Sequence, residues 1–225
     1  MQKTQRFTLA GCQHRLLPAW RRTIAPCTTR LRHAALLLTG VVLFASGLVF
    51  AATPTVAGSG QAFAAQGAKD GAVPAWTIRA TAPPGWTADC CTYAKAIGVN
   101  LVLYRGQWTG HPQQVMVLNV WPRKLPTLDA EIQADRKHFL QADPAARVSN
   151  INIRNPLTAC QATLYQGTDH VDDIVVFCEP AKASGIRWSW SMALDAADPA
   201  RRSLLDAFMR VVVASRYVPA GNSGG

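Results

Sequence analysis

The segment Ile186-Arg-Trp-Ser-Trp-Ser-Met-Ala-Leu194 decides the fold class, because its large apolar residues recur at every second position. Side chains of a β-strand point alternately to opposite faces, so Trp188, Trp190 and Met192 are predicted to share one face. Upstream, residues 159–166 and 171–178 have strand character and flank Gly167-Thr-Asp-His170, which predicts a β-hairpin. These three segments are therefore predicted to form part of an antiparallel sheet.

The rest of the domain extends this pattern in both directions. A helical period occurs twice: Thr127 can cap a helix through about Leu140, and Asp198 with Pro199 can open a second one. The second helix has an apolar stripe of Leu204, Leu205, Phe208, Met209 and Val212. Further strands are predicted at residues 76–81, 96–104, 114–121 and 147–154. The order predicts an α+β fold, an antiparallel sheet of about six to seven strands with helices packed on it.

The N-terminal part of the chain predicts export. Residues 1–33 form a basic leader, and residues 34–52 are an uncharged apolar run long enough to span a bilayer as a helix. Basic residues on the N-terminal flank place the leader inside and the domain outside. Signal peptidase could cut after Ala51 or Ala64, or the helix could remain as an inner-membrane anchor, so both fates stay open. We expect a periplasmic or otherwise extracytoplasmic domain.

The charge distribution argues against a polyanion partner. The formal net charge is +10, but residues 1–64 hold seven basic residues and no acidic residue. The remaining residues contain 16 basic and 13 acidic side chains, an excess of only three. Because most of the basicity belongs to the leader, we expect no nucleic-acid partner.

Composition divides the remainder into three segments. Residues 53–74 are mostly small or polar and predict a flexible linker. Residues 75–218 predict a single globular domain, and residues 219–225 a disordered tail. A domain of this size buries about 68–70% of its unfolded surface, so we expect no metal or cofactor to be needed for folding.

The tetrapeptide Pro83-Pro84-Gly85-Trp86 follows the opening strand and precedes a strand hairpin, a helix, a run of antiparallel strands and a last helix. In this order the chain resembles the Mog1/PsbP-like fold, whose bacterial periplasmic and lipoprotein members have a similar entrance motif. The resemblance covers about Trp76–Tyr217. The Asp89-Cys90-Cys91 segment departs from the group. The resemblance implies a binding or assembly module rather than a reaction.

Four cysteines of the domain, Cys90, Cys91, Cys160 and Cys178, are disulfide candidates in an oxidising compartment. A hairpin centred on Asp169 places Cys160 opposite Cys178. In the rival pairing, Cys90 and Cys91 each bond to one of those two. A third interpretation gives Cys90 and Cys91 a function, as a redox-labile vicinal bridge or a soft-metal site.

The predicted hairpin tip carries one imidazole and three carboxylates: Asp169, His170, Asp172 and Asp173. Such groups could hold a divalent cation, and an ordinary solvated turn is the alternative. The remaining aspartates are expected in loops or on helix surfaces.

Aromatic residues supply the last candidates. Trp188 and Trp190, two apart on one strand face, could form a surface for a ligand or partner, or could pack against the last helix. Trp108 lies in a predicted turn over residues 106–112 and is the better candidate for exposure.

No motif typical of catalysis occurs, so we predict no catalytic residue and expect no cofactor. The sequence favours an exported, non-catalytic binding or accessory domain. The alternatives are a thiol-redox or soft-metal protein that uses Cys90 and Cys91, and a periplasmic inhibitor or immunity protein. We expect a protein or small-molecule partner, and a membrane contact through residues 34–52 if the helix is not cleaved.

Overall fold

The structure, a computed structural model, describes residues 60–108, 112, 114–153 and 158–219. The helices in this part of the chain are α1 Tyr93–Ala96, α2 Leu128–Ala142 and α3 Arg201–Ala214, with a 3-10 turn at Lys182–Ser184. Its strands are β1 Gln61–Gly67, β2 Trp76–Ala82, β3 Trp86–Asp89, β4 Leu101–Arg105, β5 Gln114–Pro122, β6 Arg147–Ile151, β7 Ala159–Gln166, β8 Val171–Glu179, β9 Ile186–Asp195 and β10 Arg216–Val218. The α+β class is confirmed.

A seven-stranded antiparallel sheet organises the molecule, with strand order β3-β4-β5-β9-β8-β7-β6. Strand β9 occupies its centre and pairs with β5 on one side and β8 on the other. The β7–β8 hairpin has the predicted register, with Cys160 opposite Cys178. The segment with the alternating pattern, residues 186–194, is therefore the central strand, and it is paired along both of its edges.

A second sheet contains β1, β2 and β10, and it corrects the predicted linker over residues 53–74. Residues 61–67 form β1, which pairs with β2 along its whole length. Ladder hydrogen bonds need only backbone groups, so a segment of small residues can complete a sheet. At Gly67 a Cβ would lie 2.3 Å from Trp76 Nε1, so this position requires glycine. The folded unit thus begins before the predicted Ala75.

The two faces of the seven-stranded sheet are covered unequally. One face, the α3 face, packs against α3 and the three-stranded sheet in the main hydrophobic core. The other, the α2 face, carries two smaller clusters. One lies under α2 around Tyr165 and Phe177, and the other lies beside α1 around Val102 and Val115. The space between these clusters is the candidate site.

Local hydrogen bonds explain where the helices start. Thr127 caps α2 as predicted, since its Oγ1 accepts the Ala130 N–H at 3.1 Å. Asp198 accepts the Ala200 N–H at 2.7 Å and turns the chain. The last helix begins at Arg201 with Ala200 as its N-cap, two residues later than predicted.

The second predicted strand, over residues 96–104, is shorter than expected. Asp89 Oδ1 accepts the N–H groups of Tyr93 and Ala94 at 2.7 and 3.0 Å and stabilises α1. Gly98 then turns the chain with φ of 74°, so β4 starts at Leu101. Strands β3 and β10 were not predicted, and β6 ends at Ile151 rather than at residue 154.

The predicted leader (1–33) and apolar helix (34–52) lie outside the described residues, as do residues 220–225 of the predicted tail. Among the residues that the structure does describe, no helix combines the length and apolar character needed to cross a bilayer. Of the two cleavage positions, Ala64 lies within β1, where it is paired with Arg79. Cleavage there would remove the first half of that strand.

Candidate functional site

A cavity of about 130 Å³ lies on the α2 face of the seven-stranded sheet. Its floor is formed by the middle of β5, β8 and β9, and its walls by α2 and the loop that follows α1. This volume is close to that of engineered apolar cavities that take up benzene. The residues that line it from the floor include Val115, Val117, Val175, Phe177, Ser189, Ser191 and Ala193.

The cavity arises from the alternation of β9. On the α3 face this strand carries Trp188, Trp190 and Met192, whereas on the α2 face it carries Ser189, Ser191 and Ala193. Val117 and Val175 pair with Ser191 from the two neighbouring strands, and their larger side chains flank it on both sides. A row of small side chains between rows of larger ones leaves a hollow along the centre of the sheet.

Two separate elements wall the hollow. On one side, Ala134 and Asp135 of α2 line it, with Trp121 and Phe177 in edge-to-face contact at 6.3 Å between ring centroids. On the other side, Ile97 and Val99 line it from the loop after α1. Because α2 packs on one cluster and α1 on the other, neither helix closes the space.

A buried carboxylate–phenol pair holds α2 against the sheet. The Tyr165 hydroxyl donates to Asp135 Oδ2 at 2.6 Å, and both residues are buried. Burial and the nearby Asp135 carboxylate raise the pKa of Tyr165 far above its usual range. The phenol is a hydrogen-bond donor at physiological pH, and its hydrogen bond holds Asp135 in a defined position in the cavity wall.

A buried arginine holds the first turn of α2. The Arg187 side chain has no exposed surface, and its Nη1 lies 3.0 Å from Glu131 Oε1. Its Nε donates to Glu179 Oε1 at 2.8 Å, and its Nη1 also donates to the Leu125 carbonyl at 2.9 Å. Arg123 also pairs with Glu179. The network joins the start of α2 to β8 and β9 at the edge of the cavity.

The four residues proposed as a metal site, Asp169, His170, Asp172 and Asp173, do not act together. Asp169 accepts the Val171 N–H at 3.1 Å within the turn. Asp172 faces the α3 side and pairs with Arg201, while Asp173, the next residue of the strand, lines the cavity on the opposite face. Among the described residues, no group of three or more acidic, histidine or cysteine side chains could hold a metal ion.

Three aspartates therefore lie where the sequence did not place them. Asp172 and Asp173 lie in β8, as the strand predicted over residues 171–178 implies, but both are buried, whereas the metal-site interpretation placed them at the hairpin tip. Asp135 lies on the buried side of α2 rather than on its surface. Their burial depends on neighbours from distant segments, which local polarity does not reveal.

The prediction that the tryptophans form a partner surface was wrong for two of the three residues. Trp188 and Trp190 are fully buried in the main core and cannot form a surface for a partner. Trp108 is half-buried and stacks on Tyr93 at 4.6 Å between ring centroids. Tyr104 contacts both rings edge-on. Trp108 thus belongs to the small cluster beside α1.

Both pairs of cysteines are disulfide-bonded. Cys160 bonds to Cys178 across the β7–β8 hairpin, with 4.2 Å between their Cα atoms. Cys90 bonds to Cys91, and this vicinal pair is exposed just before α1. The structure thus contradicts the rival pairing, in which Cys90 and Cys91 bond to Cys160 and Cys178.

The cavity itself was not predicted, although a signal for it exists in the sequence. The alternation at residues 186–194 defines two faces, one with the tryptophans and one with the residues between them. The intervening Ser189, Ser191 and Ala193 are unusually small for a strand buried at the centre of a sheet. A row of small residues on one face of a central strand indicates space above it.

Comparison with known proteins bears on the fold alone. No protein-family model matches this chain, and no curated protein matches it. The solution structure of cyanobacterial PsbP (CyanoP) from Synechocystis sp. PCC 6803 is similar with a TM-score of 0.45 and 14% sequence identity. The match covers 75% of this chain and 99% of that one. This likeness is a weak PsbP-like fold resemblance.

Proposed function

We propose that this protein is an exported, non-catalytic binding domain that takes a small molecule with an apolar body into the cavity on the α2 face. The observation that carries the proposal is the row Ser189, Ser191 and Ala193 on the central strand, which leaves about 130 Å³ between two clusters. Filling such a space with a ligand regains dispersion contacts and removes apolar surface from water.

Composition of the lining supports a binding role. Apolar side chains form most of the lining, and a few polar groups, among them Ser189 and Ser191 on the floor, lie between them, which is typical of small-molecule sites. Export rests on the apolar run at residues 34–52, and if this segment is retained, it is also a membrane anchor. The absence of a catalytic motif from the sequence favours binding over turnover. The inhibitor or immunity interpretation stays a prediction.

Replacing Ser191 by Leu is expected to abolish binding, because the larger side chain would occupy the centre of the hollow. The test titrates benzyl alcohol, benzylamine and benzoate into the protein purified after expression of the full chain, and follows backbone amide shifts by NMR. We expect at least one probe to shift resonances of β5, β8 and β9, and Ser191→Leu to remove these shifts.

Ser203→Leu provides a matched control, since Ser203 is exposed on α3, on the other side of the sheet. This variant should bind the probes like the native protein. The proposal fails if none of the three probes shifts cavity resonances, or if Ser191→Leu binds them as well as the native protein does.

A second candidate function is supported by the vicinal disulfide. Cys90 and Cys91 are exposed, and exposed disulfides are more accessible to thiol exchange than buried ones. By contrast, Cys178 of the other disulfide is fully buried. We propose that Cys90–Cys91 is a reducible pair, at the start of the segment whose Ile97 and Val99 line the cavity.

Mild dithiothreitol without denaturant is expected to open Cys90–Cys91 while Cys160–Cys178 stays oxidised. Differential alkylation followed by peptide mass mapping measures both pairs separately, and also separates them from Cys12 and Cys27 of the leader. In the double variant Cys90→Ser/Cys91→Ser, mild dithiothreitol should release no thiols from the folded domain. Reduction of both bridges only on unfolding, or a map that joins Cys90 or Cys91 to another cysteine, would contradict this assignment.

A further inference from the structure

We infer that the ligand of the cavity carries an uncharged amide-like group, a hydrogen-bond donor beside an acceptor, on its apolar body. This inference rests on the proposed function of the cavity and names the chemical class of its ligand. Three small uncharged polar side chains lie on the floor: Asn119 of β5, and Ser189 and Ser191 of β9. Within the described part of the chain, none of these three side chains has a hydrogen-bond partner.

The register of the sheet places Asn119 and Ser189 close enough to bind one ligand group. They are direct partners in the β5–β9 ladder, and side chains at such opposed positions have Cβ atoms about 4.5–5.5 Å apart. Ser189 is only 6% exposed, and Asn119 is half-buried. Ser191 follows two residues later on the same face of β9. The three side chains thus form a polar strip along the floor of the cavity.

The chemistry of the polar strip defines the group that it recognises. The carboxamide of Asn119 offers an acceptor oxygen and two N–H donors, and each serine hydroxyl both donates and accepts. A ligand that displaces water from such groups without replacing the hydrogen bonds loses affinity. An amide-like group donates and accepts through neighbouring atoms and can therefore satisfy the strip, whereas a ketone of the same shape can only accept.

The apolar part of the lining gives the ligand its orientation. Val115 and Val117 of β5 belong to the cluster beside α1, together with Ile97 and Val99 of the loop that follows this helix. Asn119 comes next on the same face of β5. An apolar ring placed on the two valines therefore directs its polar group to Asn119 and to the serine opposite.

The test compares benzamide with acetophenone, two uncharged probes of similar shape that differ by an NH2 group in place of a methyl group. Their dissociation constants are measured by NMR titration on the protein purified after expression of the full chain. We expect benzamide to bind about tenfold or more tighter than acetophenone, because only the amide donates hydrogen bonds to the strip. This comparison on the native protein needs no variant.

The double variant Asn119→Leu/Ser189→Ala tests the assigned contacts. It removes both hydrogen-bonding groups with little change in volume, so the preference for benzamide over acetophenone should fall about tenfold, to near equality. The control variant Asn150→Leu/Ser203→Ala makes the same two changes at exposed positions of β6 and α3. It should keep the preference of the native protein.

The outcomes separate the inference from the proposed function. If acetophenone binds as tightly as benzamide, or if neither binds while benzyl alcohol shifts the cavity resonances, the inference fails and the proposed binding function survives. If Asn119→Leu/Ser189→Ala keeps the native preference, or the control variant loses it too, the polar strip does not recognise the amide and the inference fails. If no probe of either experiment binds, the proposed function fails as well.

Discussion

Replacing Arg187 by Met is expected to lower the free energy of unfolding by about 3–5 kcal/mol. The guanidinium is fully buried and contacts Glu131, Glu179 and the Leu125 carbonyl. Met fills much of the same space, so the loss comes from charge rather than from packing. Without the arginine, Glu131 loses the ion pair with Arg187, and Glu179 keeps its ion pair with Arg123.

Urea unfolding monitored by tryptophan fluorescence measures this loss. Arg210→Met, an equivalent change at an exposed position of α3, should change stability by no more than about 0.5 kcal/mol. The triple variant Arg187→Met/Glu131→Gln/Glu179→Gln should regain much of the lost stability, because the two partly buried carboxylates that Arg187 contacts are neutralised too. A loss below about 1 kcal/mol for Arg187→Met would show that solvent reaches these groups.

Replacing Trp190 by Ala is expected to destabilise the protein by about 3–5 kcal/mol, the range for large-to-small changes of buried aromatic residues. Trp190 is fully buried at the centre of the main core, where Phe63 of β1 contacts it edge-on at 6.4 Å between ring centroids. Its Nε1 donates to Ser215 Oγ at 2.8 Å. The substitution removes the ring, the hydrogen bond and a contact that holds β1.

Trp190→Phe separates the contributions. It retains an aromatic ring and removes the indole N–H, so it should cost clearly less than Trp190→Ala in the same urea experiment. Hydrogen exchange in β1 should rise in Trp190→Ala, because Phe63 loses its partner ring. If Trp190→Ala unfolds at the native urea concentration, the tryptophan is not part of the core and its role as a partner surface must be reconsidered.

Much of the sheet could be predicted from short segments. The Gly167–His170 turn and the period of two around it are local features, and they set the register that brings Cys160 to Cys178. The Thr127 cap is equally local, since its hydroxyl binds an N–H three residues away. Strand β1 was not predicted because, apart from Phe63, its residues are small or polar, and its ladder depends on pairing with the edge of β2.

The candidate site was harder to predict, as Asp172 and Asp173 show. Both were assigned to a polar turn with Asp169 and His170. Both also fall in the strand predicted over residues 171–178, and in the structure they are part of β8. One therefore points to Arg201 on the α3 face and the other to the cavity on the α2 face. Two neighbouring acidic residues look alike in a sequence, and the packing on each face of a sheet makes them different.

The sequence by itself determined the antiparallel strands, the capped start of α2 and the cross-strand disulfide, because turns, periodicity and caps act between residues close along the chain. Tertiary structure alone decided how the two faces of β9 are used. Trp188 and Trp190 pack in the core against α3. Ser189, Ser191 and Ala193 lie on the opposite face, which α1 and α2 cover incompletely. That choice depends on how α1 and α2 pack from distant segments, and it creates the cavity on which the proposed function rests.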